Sequence, residues 1–358
     1  MLSSRGERIA ISVFALVHLP FLFVSVPSAT EKSVTMVDMV HIPGGTFQMG
    51  DLFGDGSGNE LPVHTVWVSD FYLDKFEVTV AEYRTFVSET GYVTCAESFD
   101  SREKQEERLS RLMEKARAGE QDEEFAALHQ EFLESGGCYY WITDPPTFSY
   151  SLDCNWRTPL FPQTDANPVV CLAWVDAASY CNWLSVKEGL PPAYEVDSGR
   201  LLDRDGKPTH EIGEVSGYRL PTEAEWEFAA REGGKKIRFG NGRNTARASE
   251  INFDAAHGEY PYSEVGECPG GTVPVGSYGA NSLGLFDMSG NAWEWCSDTY
   301  FDYRETGKAD PIPQPGTHRV LRGGRWGGDA EEARVFSRDP YEAINRCNNS
   351  GFRIARSM

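Results

Sequence analysis

The sequence predicts an α+β domain that is rich in loops, with short strands and few helices. Three observations carry that expectation. Glycine and proline number 35 and 20 in 358 residues and are spread along the chain, where they interrupt long elements. Short alternating or β-branched runs recur, as in "MVHIPGGTFQMG" and "HTVWVSDFYLDKFEVT". Helix starts are few, and two are marked by capping boxes, Thr79 with Glu82 and Thr222 with Glu225.

Taken in order, residues 1–29 read as an export signal. Arg5 and Arg8 precede an apolar run from Ile9 to Val26, and small residues follow at Ser28 and Ala29. Elsewhere no segment approaches the ~18 apolar residues needed to span a bilayer. A domain is expected over residues 37–358. Met39 to Gly50 reads as a strand around a Gly-Gly turn, and His64 to Thr79 as one or two strands. A helix after Thr79 puts Tyr83, Phe86 and Val87 on one face and stops at Gly91. A second, over Asp176 to Leu184, turns Ala177, Cys181 and Leu184 inward. The helix after Thr222 aligns Trp226, Ala229 and Ala230 and ends at Gly233. Two insertions interrupt this plan. Residues 101–136 are dense in Glu, Lys, Arg and Gln and read as a helical hairpin, one face formed by Leu109, Leu112, Met113 and Ala116, the other by Phe125, Leu128 and Phe132. Residues 189–216 are rich in Asp, Gly and Pro and read as a long surface excursion.

A formal charge of -21 excludes nucleic acid and anionic membrane as partners, because a phosphate backbone needs a concentrated basic face. Eight cysteines permit disulfides in an exported chain, with the pairing open. They form no CxxC pair, and the histidines form no cluster, so zinc is not suggested. Asp287, Asn291 and Glu294 place side-chain oxygens in a tight Gly-containing loop, as a hard cation such as calcium requires. An acidic turn with caps would look the same.

Three strings together resemble the formylglycine-generating enzyme family, the sulfatase-modifying factors. They are "GYRLPTEAEWEFAAREGG" (Gly217 to Gly234), "GLFDMSGNAWEWCSD" (Gly284 to Asp298) and "RVLRGGRWGGDAEEARVFSRD…NNSGFRIAR" (Arg319 to Arg356). The resemblance runs from about Val37 to Arg356 outside the insertions and implies a C-type-lectin-like fold. Members of the family oxidise a sulfatase cysteine with copper held by two cysteines shortly after the paired glycines, here Gly323 and Gly324. Carried over by position, those places are Gly328 and Ala333, and Cys347 lies too far along to replace them. Copper at that site is not expected.

The resemblance also implies structural calcium, held by the Asp287 and Glu294 side chains with main-chain oxygens of Gly290 and Ala292. A second family calcium site falls on Asn252 and Phe253, with Glu267 where the family has an aspartate. Of the family's disulfides, Cys181 is kept but its partner position is Ile354, and Ala230 stands where another cysteine is common. Arg219 and Arg231 are read as ion-pair formers. The segment from Arg325 to Ser350 corresponds to the family's active-site and substrate-facing region. Its candidate binding residues are Trp326, Asp329, Glu331, Glu332, Arg334 and Tyr341, joined by Arg325, Asp339 and Asn345. Trp326, Arg334 and Tyr341 are expected on one exposed face, on a frame of two paired strands, "RVLRGG" and "GFRIAR". Asn348 opens an Asn-Asn-Ser sequon.

These observations favour a binding module for a protein, a glycan or a small secreted ligand. The alternative is an oxidative tailoring enzyme of the same superfamily, acting on a protein or a secreted metabolite. The iron-dependent sulfoxide synthases of the superfamily take histidines from an additional helical domain, and the 101–136 insertion offers only His129.

Overall fold

Both capping boxes start the helices that the sequence predicts. The computed structural model describes residues 37–98, 101–118, 127, 136–143, 146–256, 260–303 and 318–358. Thr79 Oγ1 accepts the Glu82 N–H, and the Glu82 carboxylate accepts the Thr79 N–H at 2.8 Å. Helix α1 (Val80–Thr90) then stops at Gly91, whose φ of 69° is left-handed and spares a Cβ clash. Helix α2 (Arg102–Ala118) lies in the first insertion, and α3 (Trp174–Lys187) exceeds the predicted helix by two or three residues at each end. The Thr222 box starts α4 (Glu223–Ala230).

The strands are short: β1 (Met39–Ile42), β2 (Gly45–Met49), β3 (His64–Val68), β4 (Phe71–Asp74), β5 (Cys138–Thr143), β6 (Pro146–Ser151), β7 (Tyr194–Glu195), β8 (Arg200–Leu201), β9 (Trp293–Thr299), β10 (His318–Arg322), β11 (Arg338–Glu342), β12 (Ser350–Gly351) and β13 (Ala355–Ser357). One sheet runs β11-β10-β9-β12, a second β1-β4-β13, and three hairpins pair β2 with β3, β5 with β6 and β7 with β8. Every residue of β9 is buried, so this strand is covered on both faces.

The frame of two paired strands is corrected by this topology. β10 pairs with β9 and β11, β12 runs parallel to β9, and β13 joins β4 in the other sheet. The physical reason is β9: as a buried inner strand it needs hydrogen-bond partners for its backbone along both edges, and β10 and β12 supply them, which keeps the two strings apart. The 189–216 segment is also more than a surface excursion. Ala193, Tyr194, Leu201, Ile212 and Val215 are buried in the core beside α1 and α3. The Tyr194 hydroxyl accepts the Leu220 N–H at 3.0 Å. In the first insertion, Arg102 ties α2 to Asp153 through two bonds of 2.7 and 3.0 Å. Leu112 is buried. The export signal, and Phe125, Leu128 and Phe132 of the expected hairpin, lie outside the described residues.

Helix α4 is buried along its whole length, acidic residues included. Those charges are neutralised by two arginines from distant strands and two that flank the helix. Arg338 grips Glu223 with bonds of 2.7 and 2.8 Å, Arg322 spans Glu223 and Glu227, and Arg231 meets Glu227 at 2.8 Å. Arg219 pairs with Glu225 through two 2.7 Å bonds. Thus "RLPTEAEWEFAAR" is a structural knot, in which the two arginines pair as the sequence suggests. Such pairs add little net stability, but losing one partner strands a buried charge.

Candidate functional site

The loop after β10 begins with Gly323 and Gly324 at φ 97° and 78°, and a Cβ at 324 would overlap the backbone of Glu332 and Ala333. This turn sends the chain back under the β5–β6 hairpin, where it frames an open cleft of about 240 Å3. Trp293 and Leu321 come from the central strands; Asp339 and Tyr341 from β11; Arg325, Glu332 and Asn349 from the flanking loops; and Phe148 from β6.

Arg325 organises the cleft. It makes a bidentate pair with Glu332 at 2.7 and 3.0 Å, and its guanidinium lies 4.2 Å from the centre of the Trp141 ring and 5.0 Å from that of Phe148. Its Nη1 is buried and has no hydrogen-bonding partner among the described residues; the same holds for Asn349 Nδ2. Both residues are more than nine-tenths buried and line the cleft. Two donors without acceptors are costly unless something arrives to accept from them.

Asp339 adds a titrating group. Burial and then the nearby Glu332 raise its pKa to about 6, although Arg325 pulls it down. An unfolded aspartate titrates near about 4. Folding therefore loses free energy at this group progressively as pH rises from about 4 to about 6, the loss being complete above that and absent below about 4. Asp339→Asn should raise the melting temperature at pH 8, with the gain disappearing as pH falls to 4. A gain independent of pH would contradict the placement.

The sequence-predicted residues divide into two groups. Asp329, Glu331, Glu332 and Tyr341 are half-buried, and the Tyr260 hydroxyl sits 3.0 Å from Asp329 and 2.7 Å from Glu331. Trp326 and Arg334 do not join Tyr341 on an exposed face. Trp326 is 2% exposed, its indole N–H reaches the Asn348 carbonyl, and its ring meets Phe161 edge-on. Arg334 is fully buried between Glu60 at 2.9 Å and Glu331 at 3.2 Å. The loop folds inward because the glycine turn and Gly327, packed against Trp141, leave no room to stand out. Sequence reasoning missed Phe148, Trp293 and Asn349. Two of these lay inside quoted strings, Trp293 in "NAWEW" and Asn349 in "NNSGFR". The sequon is buried too: Asn348 accepts the Trp141 N–H at 3.1 Å and donates to the Pro159 carbonyl at 3.0 Å.

Where the copper-binding cysteines of the resembled family would stand, space as well as chemistry differs. A Cβ on Gly328 would overlap the Glu332 carboxylate, and Ala333 is fully buried. Cys181 is buried and is not in a disulfide, and burial pushes its thiol pKa up.

The "DMSGNAWEW" loop gathers acidic oxygens. Asp287, Gly290 and Asn291 all have left-handed backbones, which makes the turn tight. Glu294 is gripped by Arg353 through bonds of 2.6 and 2.7 Å, and one of its oxygens also takes the Trp226 indole N–H, so the other retains a lone pair. Glu77, which the sequence did not single out, joins them, accepting the Asn291 amide at 2.8 Å and the Ala292 N–H at 3.2 Å. Burial first, and then mutual repulsion, raise the pKa of Glu77 and lift Asp287 to about 6. When ionised, these three carboxylates face one guanidinium, an excess of negative charge that suits a divalent hard cation. At the second implied site Asn252 and Phe253 are buried, and Asn252 Oδ1 has no partner among the described residues, while Glu267 is exposed. Only the first two are enclosed there.

A family model described as a sulfatase-modifying factor enzyme 1-like domain matches residues 25–358. A formylglycine-generating enzyme of Streptomyces coelicolor is 32% identical over 344 residues, covering 92% of this chain and 91% of that protein. The inactive C-alpha-formylglycine-generating enzyme 2 of Mus musculus is also 32% identical, over 89% of this chain and 85% of its own. The structure of PvdO from Pseudomonas aeruginosa superposes with a TM-score of 0.57 at 23% identity, covering 89% of this chain and 94% of that one, a likeness of fold.

Proposed function

Since this chain belongs to the sulfatase-modifying factor family, we propose that it is an exported, calcium-stabilised binding module that keeps the family's cleft without its copper–cysteine chemistry. The observation that carries the reading is the pair of buried, unaccepted donors, Arg325 Nη1 and Asn349 Nδ2, on two residues that line a cleft edged by Phe148 and Tyr341. They suit a carboxylate or carbonyl group, with the rings covering an apolar part of the same ligand, whether a protein segment, a glycan or a secreted small molecule. That one full-length relative is named inactive agrees with a family member that binds without oxidising. The exported location rests on the apparent signal over residues 1–29. Calcium would be held by Asp287 and Glu294 with main-chain oxygens of Gly290 and Ala292, where it would offset the buried carboxylate charge.

Asn349→Ala is the informative variant, because it removes a donor that makes no hydrogen bond within the described residues. Ligand captured from the host's culture medium on the wild-type chain should be lost from this variant, with the fold intact. Equal capture by both would remove the cleft from the reading. Oxygen consumption accompanied by a mass change in the captured molecule would favour the tailoring enzyme instead.

A further inference from the structure

Away from the Gly328 and Ala333 positions, three cysteines from separate segments converge. Cys138 opens β5, Cys154 follows β6, and Cys171 precedes α3. Their sulfur atoms all lie within 4.8 Å of one another, Cys154 and Cys171 are 3.6 Å apart, and all three residues are completely buried. Among the described residues, no other three histidine, cysteine or carboxylate ligand atoms gather so closely. Ala96, Val170 and Ala292 wall the cluster with apolar surface. Cys171 holds a left-handed backbone, φ 65°, and its N–H reaches the Cys347 carbonyl at 3.0 Å.

We propose that Cys138, Cys154 and Cys171 form a buried three-sulfur site for a soft d10 cation, Cu(I). Three sulfurs bound to one ion at a metal–sulfur distance of about 2.3 Å stand about 4 Å apart, within the spread of the cluster. All-sulfur donors select soft ions over calcium or magnesium. Zinc in a structural site takes four ligands, and no fourth histidine, cysteine or carboxylate of the described residues shares the 4.8 Å grouping. The three-fold, all-sulfur donor count therefore favours Cu(I). Copper enters already reduced, so no electron changes hands. Each thiol that becomes a ligand releases its proton to solvent, which makes the affinity fall as pH falls. Serving as a catalytic centre is no part of this site, since it lies inside the protein and away from solvent.

The test is a Cu(I) titration of the full chain, purified under anaerobic reducing conditions, against a chromophoric copper chelator. Wild type should take up one Cu(I) tightly. Cys154→Ser and Cys171→Ser should each weaken uptake by about 100-fold or more, beyond the usual effect of altering a ligand's neighbours. Cys296→Ser, in a different part of the core, should leave it unchanged. X-ray absorption on the copper-loaded wild type counts the sulfur neighbours without any variant, and three are expected. No uptake, uptake indifferent to both substitutions, or two sulfurs in place of three would overturn the proposal. So would a disulfide joining two of the three in the protein as isolated, or zinc displacing Cu(I) with Cys347 as a fourth ligand.

Discussion

Trp326→Ala should destabilise the protein by about 3–5 kcal/mol, the usual cost of truncating a fully packed aromatic side chain. The substitution would empty the space beside Phe161 and remove the indole bond to the Asn348 carbonyl. Arg334→Ala should add a further loss, because the buried Glu60 would then lose its cation beside the half-buried Glu331. If these two residues formed an exposed recognition face, both variants would melt with wild type. Thermal unfolding separates the alternatives, and a fall on the order of 10 °C is expected for the tryptophan.

A comparably large effect is expected at Arg353. It donates to both oxygens of Glu294 and to the carbonyls of Asp74, Lys75 and Phe286. Arg353→Met would leave the buried Glu294 carboxylate without its cation beside Glu77 and Asp287, with only the Trp226 N–H still donating to it, at a cost of about 3–5 kcal/mol. Calcium should oppose this loss, and chelation should lower the melting temperature of the wild type, since a ligand of the native state at ~100 times its Kd contributes about 2.7 kcal/mol. A wild-type melting curve indifferent to chelator, with no calcium by elemental analysis, would contradict a calcium site at Asp287 and Glu294.

Much of the fold was legible because its signals are local. A capping box fixes a helix start within four residues, and Thr79 and Thr222 both sit where helices begin. The inward faces of α1 and α3 follow from periodicity alone, whereas α4 is buried all round. Strand partnership was not legible in the same way. "RVLRGG" and "GFRIAR" look like partners, yet the buried strand β9 separates them, and nothing within either string encodes that. The site was half legible for a similar reason. Trp326 and Arg334 have the residue types of an exposed anchor, and only the tertiary course of the glycine turn shows them facing inward. Asn349, by contrast, matters because its amide has been left without an acceptor, a property that belongs to the packed molecule. The three-cysteine cluster draws on residues 138, 154 and 171, too far apart to suggest a ligand spacing.

Mass spectrometry of a cysteine-containing sulfatase-motif peptide, incubated with the chain, copper and oxygen, tests most directly whether the family's cleft has been kept without its oxidation chemistry. With Gly328 and Ala333 in place of two thiolates, and Glu332 filling the space above Gly328, the peptide should keep its mass. Loss of the thiol with appearance of the aldehyde, even slowly, would contradict the account.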